Sequence, residues 1–410
     1  MKRCLFVVVW LLFSLSVRAN DCTVENSGVL EVPFESGAQW QLCWHIDEHS
    51  GLVLSDVLYG APDQPAIRLL DSASVAQVLF KYDEDIQPTH VLSESGLGGS
   101  QYLTPVTRDC HDGELLTQSD EQQICVISRY RNLMTKVRGG DSFGRQEVIL
   151  QSWSKIDNNI YKQAWNLSED GEFTPSITLT GKLSRFTTDT RFGVSVHEQL
   201  PLAATATMLV NWRLDFNING TPDNDLIDEI EFQPGTIDKA TRTMQVTPLR
   251  DETARSVQRE KFRGWRISDE SYSSAPNSNV TRIGYYLDPR SSGYRAHYSD
   301  TPWSQFDFFV TRKNDCERLS SGNQSVYPEC EDDLTGYIDE ESLEHFDPVV
   351  WFSVARHFVP DAGDYPQINA FEIGFTLMPF DWSAHSPFAP PDNSQARAGQ
   401  SDEQWTLEEQ

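Results

Sequence analysis

From Asn211 to Asn219 the chain alternates without a break: Trp212, Leu214, Phe216 and Ile218 are apolar, and Asn211, Arg213, Asp215, Asn217 and Asn219 are polar. Side chains two apart on a strand face the same way, so this spacing predicts a strand with one face on a core and one polar face. Gly51–Tyr59, Ser176–Thr180 and Phe308–Thr311 read as further strands, and Val349–Val354 as one buried on both faces. Long amphipathic helices are scarce, and the short strands are punctuated by Gly, Pro, Asn and Asp. That pattern predicts an all-β fold, a large β-sandwich, and excludes an alternating α/β enzyme. With 39% hydrophobic and 11% aromatic residues, the 410-residue chain has ample material for one large core. The expected organisation is a single domain over residues 20–390 followed by a disordered acidic tail over 391–410, rich in polar residues. No repeat of fixed period is present.

Lys2 and Arg3 precede an apolar run from Leu5 to Val17, and Val17-Arg18-Ala19 places small residues where a signal peptidase reads. Residues 1–19 are expected to be a signal peptide and the protein secreted or periplasmic. A membrane anchor is the alternative, but the apolar run is shorter than the ~20 residues a span needs. The six cysteines beyond it fall into three close couples, predicting the disulfides Cys22–Cys43, Cys110–Cys125 and Cys316–Cys330, with thiolate metal ligation as the alternative. A net charge of −28 argues against nucleic acid and anionic membrane as partners, and suits cations, including amines and calcium.

Portable motifs are few. There is no Walker loop, no His-Glu-x-x-His and no Gly-x-Ser-x-Gly. Asp215 to Gly220 fits the first six positions of an EF-hand loop, but position twelve is Leu226 where a bidentate Glu is required. What survives is a pair of hard oxygen groups, Asp215 and Asn217, side by side on one strand face.

An ordered set of blocks runs from Trp40–Tyr59 through Gly96-Leu97-Gly98, Asp109–Gly113, Ile124-Cys125-Val126, Trp165, Asp170-Gly171 and Thr180-Gly181. It continues through Arg213-Leu214-Asp215, Thr247–Leu249, Arg263–Ile267, Gly284–Pro289, Val350-Trp351-Phe352, Asp364–Pro366 and Gly374–Pro379. In order and spacing these resemble the catalytic domain of the topaquinone-type copper amine oxidases. The resemblance implies the family's β-super-sandwich, without the small domains that usually precede it, and a homodimer.

It also implies positions for the chemistry. The tyrosine that becomes the quinone falls at Asn159, whose amide has no ring to oxidise. The His-x-His copper pair falls at Ala206 and Met208, and the third ligand at Phe358, with His357 one residue out of register and expected to be an ordinary surface or core histidine. The proton-abstracting aspartate falls at Val91; Glu94 is the nearest acid and matches an acidic turn residue instead. Tyr82 and Tyr161 match tyrosines around the quinone and are expected to remain as a residual pocket, filling core space with their hydroxyls hydrogen-bonded. A peripheral calcium site falls at Asp215, Asn217 and Asp347, with Phe216 and Pro348 as carbonyl donors, against the alternative of a solvated polar face.

On these grounds the expected cofactors are neither copper nor topaquinone, with calcium possible. The function expected is that of a secreted copper amine oxidase-like pseudoenzyme, a binding or scaffold subunit beside an active relative or another secreted protein. The alternatives are an active primary-amine oxidase with an atypical site, other chemistry in the same pocket, and an interaction protein that uses its acidic faces.

Overall fold

The computed structural model describes residues 22–62, 64–118, 122–136, 142–235, 241–271, 282–289 and 301–382. The expected signal peptide (1–19) and tail (391–410) lie outside the described residues. Among the described residues, two large antiparallel sheets make the sandwich, and helix is confined to single turns such as Val91–Glu94 and Leu334–Tyr337.

The first sheet runs in spatial order Gly28–Pro33, Gln39–Asp47, Gly51–Gly60, Ile67–Tyr82, Ala206–Phe216, Pro348–Phe358, Phe308–Arg312, Thr253–Arg255. The second runs Arg242–Leu249, Asp225–Pro234, Gly264–Asp269, Gly284–Asp288, Thr376–Phe380, Phe173–Lys182, Asn159–Ser168, Ser142–Ile156, Gln123–Lys136, Gly113–Thr117. Trp212, Leu214 and Phe216 turn the even face of their strand into the core between the sheets, with Phe352 and Val354 beside them. They meet Trp165, Phe173, Trp265 and Tyr285 of the second sheet there. The Trp265 ring stacks flat on Phe308 with centroids 4.4 Å apart.

The odd face is not solvated, which corrects the simple reading of the alternation. Asn211 is fully buried and its Nδ2 donates to Ser353 Oγ at 2.8 Å, while Asp215 is only 4% exposed. The cover is a second apolar cluster, in which Trp303 from the turn before the Phe308–Arg312 strand and Leu334 and Tyr337 from a helical turn after it pack on Leu209, Phe309, Val349, Trp351 and Ala355. The expectation for Val349–Val354, buried on both faces, follows from the same cover. The strand also ends earlier than its alternation, at Phe216. Asn219 adopts a left-handed φ of 66° in a short 3-10 turn, a conformation asparagine tolerates, and Ile218 remains buried.

Several polar groups that cross between the sheets are paired. Gln163 Nε2 donates to Ser50 O at 2.7 Å, and its Oε1 accepts from Leu52 N at 2.9 Å. Trp165 Nε1 donates to Leu52 O, Trp40 Nε1 to Ser168 O and the Tyr59 hydroxyl to Glu169 O. Each aromatic ring thus supplies apolar area and a donor for a buried carbonyl. The three disulfides join Cys22–Cys43, Cys110–Cys125 and Cys316–Cys330, the couples expected. Loops of this length contribute about 3 kcal/mol each by restricting the unfolded chain.

Gln163→Leu fills the same space but strands the Leu52 N–H and the Ser50 carbonyl. Burying unpaired groups costs about 1–3 kcal/mol each, so urea unfolding should show a loss of about 3 kcal/mol. An unchanged midpoint would show that the two sheets are held in register by packing alone.

Candidate active-site cleft and acidic cluster

Tyr82 and Tyr161, expected to remain as a residual pocket, line one cleft of about 620 Å³ with Asn159 and Val91, the positions matched to the quinone precursor and the base, and with Phe80 and Arg185. The first sheet supplies Phe80 and Tyr82 from the end of the Ile67–Tyr82 strand. The second supplies Asn159 and Tyr161 from the start of the Asn159–Ser168 strand, two residues apart and so on one face. A two-residue loop, Asp157-Asn158, precedes them, with Asp157 at φ 53°. Across the pairing from Asn159 lies Gly181, at φ 144°, where a Cβ would stand 2.2 Å from the Asn158 carbonyl oxygen. Only glycine lets the two backbones approach this closely.

Asn159 lies beside Tyr161 and favours the ionised phenol, but burial is the larger effect and holds that phenol protonated well above its ordinary range. Tyr82 is raised in the same direction, chiefly by burial, against the opposing charge of Arg185, whose guanidinium lies 5.4 Å from the ring centre. Arg185 itself is held by Glu84 at 2.8 Å and Asp85 at 2.7 Å. Val91 is buried in its helical turn, and Glu94 accepts from the His90 N–H at 2.9 Å, which makes it a turn residue.

Tyr82 pairs with Ala206, and Ala206 pairs with Phe358, so these three positions form a row across three adjacent strands at the cleft end of the first sheet. Ala206 and Met208 are fully buried and Phe358 is 9% exposed, its ring stacked on Phe371 at 5.5 Å. His357 points to the other face, 40% exposed, with Nε2 2.8 Å from Asp83 Oδ2. A methyl, a thioether and a phenyl offer no imidazole nitrogen, so the side chains in this row do not fit the copper ligation described for the family.

At the far end of the same strand, about 30 Å away at ~3.3 Å per residue, lies an acidic cluster. Carboxylate oxygens of Asp71, Asp215 and Asp347 lie within 4.8 Å of one another. They come from the strand Ile67–Tyr82, its neighbour Ala206–Phe216, and the residue before Pro348–Phe358. The next strand, Phe308–Arg312, brings Lys313, whose Nζ stands 2.9 Å from Asp347, 3.2 Å from Asp215 and 3.3 Å from Asp71. Asn217, expected as a ligand, donates its Nδ2 to Asp71 Oδ1 at 2.8 Å. Of the residues expected to hold calcium, Asp215 and Asp347 fall in this cluster with Asp71, Asn217 stands beside it, and the Lys313 ammonium sits among the carboxylates. Burial and the charge of Asp215 push the Asp347 carboxyl up to about 6. The sequence reading missed Asp71, Lys313 and Arg185, none of which stands in a local motif.

A two-sheet antiparallel super-sandwich with a cleft at one end of the shared strand and a carboxylate cluster at the other defines a class, and the comparisons agree with it. A family model described as "Copper amine oxidase, enzyme domain" matches residues 118–397. The chain belongs to the copper amine oxidase family. It is 21% identical over 398 residues to the primary amine oxidase of Lens culinaris, covering 86% of this chain and 59% of the relative. It is 22% identical over 413 residues to the copper methylamine oxidase of Arthrobacter sp. strain P1, covering 89% and 61%. The chain thus spans about three-fifths of the length of these relatives. Among solved structures, a copper-containing benzylamine oxidase from Hansenula polymorpha superposes with a TM-score of 0.72 at 14% identity, over 88% of this chain and 62% of that one. Pichia pastoris lysyl oxidase superposes with a TM-score of 0.69 at 17% identity, over 91% and 56%.

These comparisons correct the expectation that the protein uses neither copper nor topaquinone. The family model and the relatives it matches are copper enzymes. Ala206, Met208, Phe358 and Asn159 describe local side chains and do not establish a loss.

Glu317, beneath the same end of the sheet, is 9% exposed, with Oε2 lacking a hydrogen-bond partner. Burial and the nearby charge of Glu252 push its carboxyl up to about 7 from 4.5. Between those values the folded chain holds a proton that the unfolded chain releases, so its contribution to stability is lost as pH rises from about 4.5 through about 7. Glu317→Gln should therefore stabilise the protein at pH 8, on the order of 2 kcal/mol, and flatten the decline. Thermal unfolding followed across pH checks this, and a variant less stable than wild type at pH 8 would contradict it.

Proposed function

We propose that this chain is a copper amine oxidase-family protein that acts by binding, as a secreted or periplasmic scaffold or binding subunit, and does not turn over amines in its cleft. The observation that carries the reading is the pairing of Asn159 with Tyr161. The position matched to the reactive carbonyl carries an amide, and beside it in the cleft stands a phenol that burial keeps protonated. Val91, in the place of the proton-abstracting acid, is an aliphatic side chain and accepts no proton. What remains is a polar, aromatic cleft suited to holding a ligand.

Three disulfides and the basic-then-apolar start of the sequence support the oxidising compartment. Among the described residues no helix is long and apolar enough to cross a membrane. Pairing with a second copy, or with an active relative, belongs to the same proposal and rests on the family resemblance.

The test is amine-dependent peroxide release by the purified protein after incubation with copper, over a panel of aliphatic and aromatic primary amines. Release no greater than from heat-inactivated protein is expected. Turnover that disappears in Tyr161→Phe would overturn the proposal and establish an amine oxidase with an atypical site.

A further inference from the structure

The geometry points to Lys313 as the resident cation of the Asp71, Asp215 and Asp347 cluster, an ammonium built into the chain at a place that would otherwise take a divalent cation. Lys313 directly follows the strand Phe308–Arg312, and its backbone N–H donates to the Asp347 carbonyl at 2.7 Å. Pairing of Arg312 with Pro348 fixes that neighbourhood, so the register of two strands delivers the ammonium to the carboxylates.

The cluster is built for a cation. Asp215 is 4% and Asn217 7% exposed, and Asp215 Oδ1 and Asn217 Oδ1 are buried without a hydrogen-bond partner. Asp215 Oδ1 is nonetheless 3.2 Å from Lys313 Nζ, a charge contact without hydrogen-bond alignment. Such oxygens are costly to bury unless a positive charge faces them.

Calcium and this ammonium exclude one another. Calcium needs six to eight oxygens at about 2.3–2.6 Å, and an ion among these carboxylates would overlap Nζ, which already lies 2.9 Å from Asp347. Neighbouring cations also offset the local charge. Arg68 holds Asp71 at 2.8 Å and Asp56 at 3.0 Å, and Arg213 holds Asp215 at 3.2 Å, so with Lys313 three cations face the four carboxylates of Asp56, Asp71, Asp215 and Asp347. A free metal ion must displace a cation tethered by its own chain, whose local concentration is high. Removing the ammonium leaves the oxygens in place with one cation fewer to face them.

Isothermal titration with calcium chloride, on the whole protein, compares wild type with Lys313→Met. Wild type is expected to show no saturable binding up to millimolar calcium. Lys313→Met is expected to bind one ion per chain at least ten-fold more tightly than that limit. Wild type binding calcium as tightly as the variant overturns the inference, and so does a folded variant that binds none. Should the variant not fold, reductive methylation of wild type gives a second readout. Labelling of Lys313 should be slow and unchanged by millimolar calcium, and faster labelling on adding calcium would show that the metal displaces the side chain and overturn the inference.

Discussion

The contact on which the rest depends is the hydrogen-bonded crossing between the two sheets at Gln163. One amide, buried at 2% exposure, pairs a carbonyl and an N–H of the strand turn at Ser50 and Leu52 with the strand that starts at Asn159. Apolar packing favours many sliding arrangements of two sheets, whereas an amide that must satisfy both ends favours one. Trp40, Tyr59 and Trp165 extend that constraint, each donating to a backbone carbonyl across the interface. With the sheets fixed, Tyr82 of one and Asn159 and Tyr161 of the other meet across a single cleft.

The strand Ala206–Phe216 links the two regions of interest. At its start, side chains in the family's metal row are apolar and face the core, and at its end Asp215 joins the carboxylates around Lys313. Both regions are set by cross-strand register. Tyr82, Ala206 and Phe358 align at one end, and Asp71, Asp215, Asp347 and Lys313 converge at the other. A sheet covered on both faces holds such rows rigidly, because Trp303, Leu334 and Tyr337 close the side that would otherwise face water. The protein is therefore a copper amine oxidase-family sandwich in which one strand carries an apolar row at one end and, at the other, part of an acidic cluster that a lysine of the same chain enters.

Much of this was legible before folding. Period-two alternation at Asn211–Phe216 gave the strand and its inner face, and close spacing gave the disulfide couples. Family blocks placed Tyr82, Val91, Asn159 and Tyr161, which the structure brings to one cleft. The cover of the odd face was not legible, since Trp303, Leu334 and Tyr337 come from irregular segments that carry no periodicity. Lys313 was missed for a related reason. A lysine after a strand is ordinary in sequence, and its partner set exists only once four strands are aligned. Asp71 sits in a similar position, an acid within a polar stretch of a long strand whose neighbours the sequence does not reveal. The calcium ligand set drawn from resemblance therefore included Asn217 and omitted both Asp71 and the ammonium.

The most direct test of the account is a crystal structure grown from millimolar calcium, read at the Asp71, Asp215 and Asp347 cluster. The account predicts Lys313 Nζ about 3 Å from all three carboxylates, the ordinary range for a charge-assisted N–H···O contact. An ion coordinated by those oxygens at about 2.4 Å, with the Lys313 side chain turned out to solvent, would contradict it.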